Sequence, residues 1–189
     1  MAVAHARTHT FTVEEYHRMG EAGVLPPDTA FELIRGEIVE RSPIGSAHAA
    51  VVAQLNRLLV MAAGEDALVW TQNPLHLDDL SEPQPDLALL RPRADNYAER
   101  LPGPADVLLV IEVADTTLAY DREVKLPLYG AAGVAEAWLI DLNGGCVDRY
   151  TTPSEAGFRD WHRAVAPEIL APAALPAVEM AVADMVTAS

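Results

Sequence analysis

Hydrophobic and polar positions change period several times along the chain, and each change marks an element. "SAHAAVVAQLNRLLVMAAG" sets Ala47, Val51, Leu55, Leu58 and Ala62 at the three- and four-residue spacing of one helical face. Ser46 stands where an N-cap belongs and Gly64 where a helix stops. "TVEEYHRMGEAG" opens with Thr12 and Glu15 at capping-box spacing and reads as a short helix ending near Gly20 and Gly23. "AFELIRGEIVER" predicts two short strands turned at Arg35-Gly36. "ALVWTQ" and the proline-bounded "PDLALLRP" read as strands, and "VLLVIEV" as a strongly apolar one. "RPRADNYAERLPGPAD" between them is a long polar loop. "DREVKLPLYG" reads as helical up to Gly130 or Gly133. "EAWLIDL" and "CVDRYTT" form a hairpin around Asn143-Gly144-Gly145. After Gly157 the tail is rich in Ala and Pro, and "AVEMAVADMV" fits either a last strand or a short helix. This order predicts an α/β fold, a mixed sheet with helices packed on it.

One polar residue breaks the pattern of the apolar strand. Alternation along "VLLVIEVA" sets Val107, Leu109, Ile111 and Val113 on one face and Leu108, Val110, Glu112 and Ala114 on the other. Glu112 therefore lies within a run that reads as buried on both sides. Either it sits at an exposed strand end or it must neutralise, pair or bind a metal, because an unpaired buried carboxylate costs several kcal/mol. Asp86 opens the other apolar strand, directly after Pro85. Alone it fits an ordinary strand-start residue. Two acids on neighbouring strands can also hold a hard divalent cation, because Mg²⁺ takes a few carboxylate oxygens and keeps several waters.

Lys125 lies 13 residues after Glu112 and is the single lysine of the chain. If its segment folds back as a helix, the amine can reach the strand end. Asp121, four residues earlier, shares its helical face. A lysine beside two metal-binding acids can hold a water or offset charge developing on a phosphate. A lone surface lysine in a lysine-poor chain is the competing explanation. Pro127 requires the helix to begin near it or to kink.

Composition narrows the classes. Half the residues are hydrophobic, which fits a globular chain of 189 residues in one domain. The opening stretch "MAVAHARTHTFTVEEYH" has no apolar run of signal-peptide type, and no stretch approaches a membrane span. Cys146 has no cysteine partner, so a reducing cytoplasm fits. One cysteine and scattered histidines give no zinc pattern. A net charge of −15 argues against broad non-specific affinity for nucleic acid or anionic membrane. The polar loop carries Arg91, Arg93 and Arg100 around Tyr97 and is expected to border the two acids, either as a phosphate contact or as a solvated loop balanced by Asp95, Glu99 and Asp106.

Together, "QPDLALL" and "VLLVIEVADTTLAYDREVKLPLYGAAGVAEAWLID" strongly resemble the Uma-two family of putative restriction endonucleases, within the PD-(D/E)xK nuclease superfamily. "FTVEEYHRM", "FELIRGEIVERSP" and the helix carrying His48 are similar to the same family. The similarity runs from about Phe11 to Tyr150, with a weaker echo in the tail. The resemblance implies a restriction-endonuclease-like fold, a central mixed sheet flanked by helices. Residues of about 11–150 would form the nuclease-like core and 151–189 a C-terminal extension packed on it. It implies Asp86 and Glu112 as ligands of Mg²⁺ or Mn²⁺, joined by the Val113 carbonyl. The motif's lysine position two residues after Glu112 holds Ala114, and Lys125 on the following helix matches the family's alternative. Glu32 resembles a further acid of the site. His48 and Asp121 match family positions without a specified role, and His48 also fits a core-edge histidine. The implied activity is a metal-dependent endonuclease acting on nucleic acid, DNA in the first instance, as a cytoplasmic homodimer. Two alternatives stay open: a non-catalytic acidic interaction protein that keeps the fold, and a hydrolase of another phosphorylated substrate.

Overall fold

The computed structural model describes residues 8–187; the first seven residues of the N-terminal stretch read for a leader therefore lie outside the described residues. Helix α1 (Val13–Glu21) begins on the expected capping box: the Glu15 N–H donates to Thr12 Oγ1 at 3.2 Å and the Thr12 N–H to Glu15 Oε2 at 2.9 Å. Strands β1 (Phe31–Ile34) and β2 (Glu37–Glu40) form the predicted hairpin. Its two turn residues both have positive φ, 51° at Arg35 and 78° at Gly36. Only glycine fits at 36, because a Cβ there would meet the Thr10 Cβ at 2.7 Å.

Helix α2 (Ser46–Ala63) starts one residue earlier than a Ser46 cap requires: Gly45 is the N-cap, and its carbonyl accepts from the Ala49 N–H at 3.0 Å. Its inner face carries Val51, Val52, Leu55, Leu59 and Ala63. The expected face at Ala47, Leu58 and Ala62 is rotated by about one residue, so Ala47 and Ala62 are exposed. Such an alanine-rich helix is apolar nearly all round, and its own pattern cannot fix which side faces inward.

The central sheet has six strands in the order β3-β4-β5-β6-β7-β8. They are β3 (Leu68–Thr71), β4 (Leu87–Leu90), β5 (Val107–Ala114), β6 (Glu136–Asp141), β7 (Cys146–Ser154) and β8 (Gly157–Val165). Only β5 and β6 pair in parallel; the other neighbours are antiparallel, so the sheet is mixed as expected. The parallel step needs a crossover. It is supplied by α3 (Leu118–Tyr120), a π-helical turn (Asp121–Lys125) and α4 (Leu126–Ala131), which follow one another directly. In the wide turn the Leu126 N–H donates to the Asp121 carbonyl, five residues back. The helix thus passes through Pro127 with the ladder reset just before a residue that has no N–H to give.

Two apolar layers sandwich the sheet. On one side α2 and α5 (Val182–Val186) pack on Leu87, Leu89, Leu109, Ile111 and Val113. On the other, the crossover helices and Ile34 of the hairpin cover Ala88, Val110, Ala114 and Leu139. Alternation in β5 holds from Leu109 to Ala114 but fails at its start. A bulge opposite Leu90 shifts the register, and Leu108 joins the first layer while Val107 joins the second. The tail resolves as both expected forms, β10 (Met180–Ala181) paired with β9 (Ile169–Leu170) and then α5. Strand β8 has no counterpart in the sequence reading. Its residues 159–163 are solvated on both faces, so no alternation marks it.

Candidate active site

Asp86 lies just before β4, and Glu112 near the end of β5. Because the strands are antiparallel, the start of one lies beside the end of the other, and the Val113 N–H donates to Asp86 Oδ2 at 2.9 Å. Glu112 points to the sheet face covered by the crossover helix. Asp121, Lys125 and Tyr129 recur there every four residues. Lys125 Nζ lies 2.8 Å from Glu112 Oε1 and 3.2 Å from Glu32 Oε1, and it donates to the Gln84 carbonyl at 3.3 Å. The Tyr129 hydroxyl donates to the same Glu112 oxygen at 2.6 Å. Glu32 comes from β1, and its Oε1 also accepts from the Gln84 N–H at 2.8 Å, which ties the hairpin to the segment leading into Asp86. His48, near the start of α2, reaches Asp86 Oδ2 with Nε2 at 2.9 Å. Asp121 accepts from the Thr117 hydroxyl at 2.6 Å. Glu32, His48, Asp86, Glu112, Asp121 and Lys125 line one cleft of about 470 Å³, walled by the segment 41–45 before α2 and by Asp115–Thr117 before α3, with Tyr129 behind Glu112.

The acids are deeply buried: Glu32, Asp86 and Glu112 are 2–4 % exposed, and Lys125 is 4 % exposed. Burial pushes the Glu112 carboxyl up to about 8, against the pull of Lys125 and with the push of Asp121, Asp86 and Glu32. Burial also raises Asp121. For Lys125, burial acts downward, but attraction from Glu112, Glu32 and Asp121 outweighs it and raises the ammonium's pKa. For Asp86, burial acts upward and is outweighed by the hydrogen bond and charge of His48, the Val113 N–H and Lys125, so its pKa is lowered. His48 is raised in turn by its bond to Asp86. The resting cleft thus holds a protonated lysine and an ionised Asp86, with the proton of Glu112 held loosely near neutrality.

Among the described residues, no three His, Cys, Asp or Glu side chains are gathered into a ready cage for a metal. The donors present are nevertheless of the hard kind. Carboxylates dominate the cleft, no cysteine lines it, and its one histidine is bonded to Asp86. This fits a cation that takes one or two carboxylates and keeps its waters. Two polar atoms of residues lining the cleft, His48 Nδ1 and the Tyr120 hydroxyl, are buried without a hydrogen-bond partner among the described residues. Buried groups of that sort ordinarily have one.

All of Glu32, His48, Asp86, Glu112, Val113, Asp121 and Lys125 meet at this cleft. The three loop arginines do not. The loop leaves β4 at its far end and enters β5 at its start, which is the pole opposite Asp86 and Glu112. Five residues of strand set Arg91 about 17 Å from Asp86. The arginines are also engaged locally: Arg91 with the Ala105 carbonyl, Arg93 with Asp95, Arg100 with Asp106. Arg93 and Arg100 both lie over the Tyr97 ring. The expected border between this loop and the acids is therefore corrected. Two participants escaped the sequence reading. Arg41 lines the cleft with guanidinium nitrogens 3.8 Å from both Glu32 and Asp86. Tyr129 continues the four-residue spacing of Asp121 and Lys125, a signal present in the sequence.

Comparison with known proteins agrees with the fold. The Uma2 family, described as "Putative restriction endonuclease", matches residues 13–183. Among solved structures, a putative nuclease belonging to DUF820 from Anabaena variabilis ATCC 29413 is similar in fold, with a TM-score of 0.74 and 17% identity. The match covers 93% of this chain and 97% of that one. No curated protein matches the chain. Among the described residues, no helix is long and apolar enough to cross a membrane.

Proposed function

This chain belongs to the Uma2 family of putative restriction endonucleases, and on that premise we propose that it is a metal-dependent endonuclease hydrolysing phosphodiester bonds of nucleic acid. The observation that carries the reading is the meeting of Lys125 with Glu112 at 2.8 Å, beside an Asp86 held by the Val113 N–H. In this reading Asp86, Glu112 and the Val113 carbonyl would hold Mg²⁺ or Mn²⁺. The bound cation would supply a nucleophilic hydroxide near neutral pH and offset charge on the phosphate.

The chain's own groups divide the remaining work. Lys125 is kept protonated by its three acidic neighbours. It therefore serves as a hydrogen-bond donor and positive charge toward a water or a phosphate oxygen, and not as the acceptor of a proton. Glu32 and the Gln84 carbonyl fix the direction of its amine. Tyr129 fixes the Glu112 carboxylate by donating to the same oxygen that Lys125 meets. His48 orients Asp86 through Oδ2. DNA is the substrate this family description favours.

The test is incubation with single- and double-stranded DNA and RNA in Mg²⁺ or Mn²⁺, beside Asp86→Asn and Lys125→Ala. Cleavage is expected to need the cation and to vanish in both variants. A wild-type protein that cleaves none of these and binds neither cation in calorimetry refutes the proposal.

A further inference from the structure

The cleft is unlike a surface built to seat a duplex. Its reacting groups are almost fully buried at its floor. Its two walls converge: the Gly45 backbone is so close to Asp115 that a Cβ there would meet Asp115 Oδ2 at 3.7 Å. Six carboxylates line it, from Glu32, Glu40, Asp86, Glu112, Asp115 and Asp121. The cations facing them are Arg41, Lys125 and His48, each lying against one or more of these acids. The arginine-bearing loop that would grip a second strand stands at the other pole of the sheet.

From this geometry we infer that the substrate is an unpaired nucleic-acid strand, threaded into the cleft one phosphodiester at a time. The inference rests on the nuclease reading above. A duplex is a rod carrying one negative charge per about 1.7 Å of axis, and a single strand carries half that density. The rod meets an acidic rim at Glu40 and Asp115 before any phosphate reaches the floor. A single strand bends, so a lone phosphodiester can descend between the walls while the flanking phosphates stay outside. Unpaired strands are commonly read in this way, with the nucleotide splayed out of any stack.

The experiment uses one end-labelled DNA sequence in three forms: single-stranded, blunt duplex, and duplex with an unpaired tail, each in Mn²⁺. The single strand and the tail are expected to be cut at least about tenfold faster than the blunt duplex, a difference of about 1.4 kcal/mol or more. Cuts in the tailed form should fall within the tail. A blunt duplex cut as fast as the single strand overturns the inference and leaves the nuclease reading intact. If no form is cut, binding decides this inference, and the nuclease reading fails where neither cation binds in calorimetry. Fluorescence anisotropy with Asp86→Asn then supports it where the single strand binds more tightly. Equal or tighter duplex binding, or binding to neither, overturns it.

Discussion

Lys125→Met removes the one ammonium that stands among Glu112, Glu32 and Asp121 while keeping a side chain of similar length. At an effective dielectric of about 20, unit charges at the observed 2.8 Å attract by about 6 kcal/mol gross. Burying the ammonium takes back much of that, and removal of one partner from a buried pair typically costs about 3–5 kcal/mol. The pH dependence follows from Glu112. Its folded pKa, about 8, lies above its ordinary 4.5. The folded protein therefore holds a proton that the unfolded chain has released, and this group's contribution to stability falls as pH rises from 4.5 to 8. Without the ammonium the folded pKa moves higher still, and the window extends upward. The wild type levels off above pH 8, whereas the variant goes on losing roughly 1.4 kcal/mol per pH unit. Guanidinium denaturation of both proteins, without divalent cations, at pH 7, 8 and 9 measures the difference. The variant's deficit should reach about 3–5 kcal/mol at pH 9 and grow between pH 8 and 9. A deficit that is flat or shrinks toward pH 9 refutes the ion-pair account of Lys125.

Tyr129→Phe removes a buried hydroxyl that donates to Glu112 at 2.6 Å; it should cost about 1.5–3 kcal/mol above pH 8, where the bond is to an ionised group, and less below it, as read by denaturation at the two pH values. Asp148 is buried between Arg122 and Arg163, whose bonds and charge outweigh desolvation and lower its pKa. Its stabilisation is present above the ordinary carboxylate pKa and lost as pH falls through the lowered one, so the deficit of Asp148→Asn should be full at pH 7 and shrink toward pH 3 in thermal melts. Arg93→Ala and Arg100→Ala should leave cleavage kinetics within about twofold of wild type, because these arginines stand at the far pole and contact neither acid; the scale is that of surface changes away from a site. Amine acylation followed by mass spectrometry should leave Lys125 unmodified in the native protein and label it after denaturation, since its side chain is only 5% exposed.

Local spacing carried most of the site. Asp86 and Glu112 announced themselves as carboxylates at the borders of apolar runs, and Lys125 as a cation one helix later. Asp121 shares its face by the four-residue rule, and that rule extends to Tyr129. Pro127, a residue that ordinarily ends a helix, lies between Lys125 and Tyr129 and breaks the pattern on paper. The π-helical turn at Asp121–Lys125 carries the face across it. What stayed hidden depended on pairing between distant strands. The loop of Arg91, Arg93 and Arg100 follows Asp86 closely in sequence, yet the antiparallel pairing of β4 and β5 puts an entire strand between them. Arg41 shows the reverse case. It lies 45 residues before Asp86 in the chain, and the β1–β2 hairpin returns it to the cleft beside that residue. Sheet topology thus decides which charges reach the floor of the cleft. It brings Arg41 in and sends three arginines away, and the cleft that remains carries more carboxylates than cations. A duplex-gripping surface would need the opposite balance.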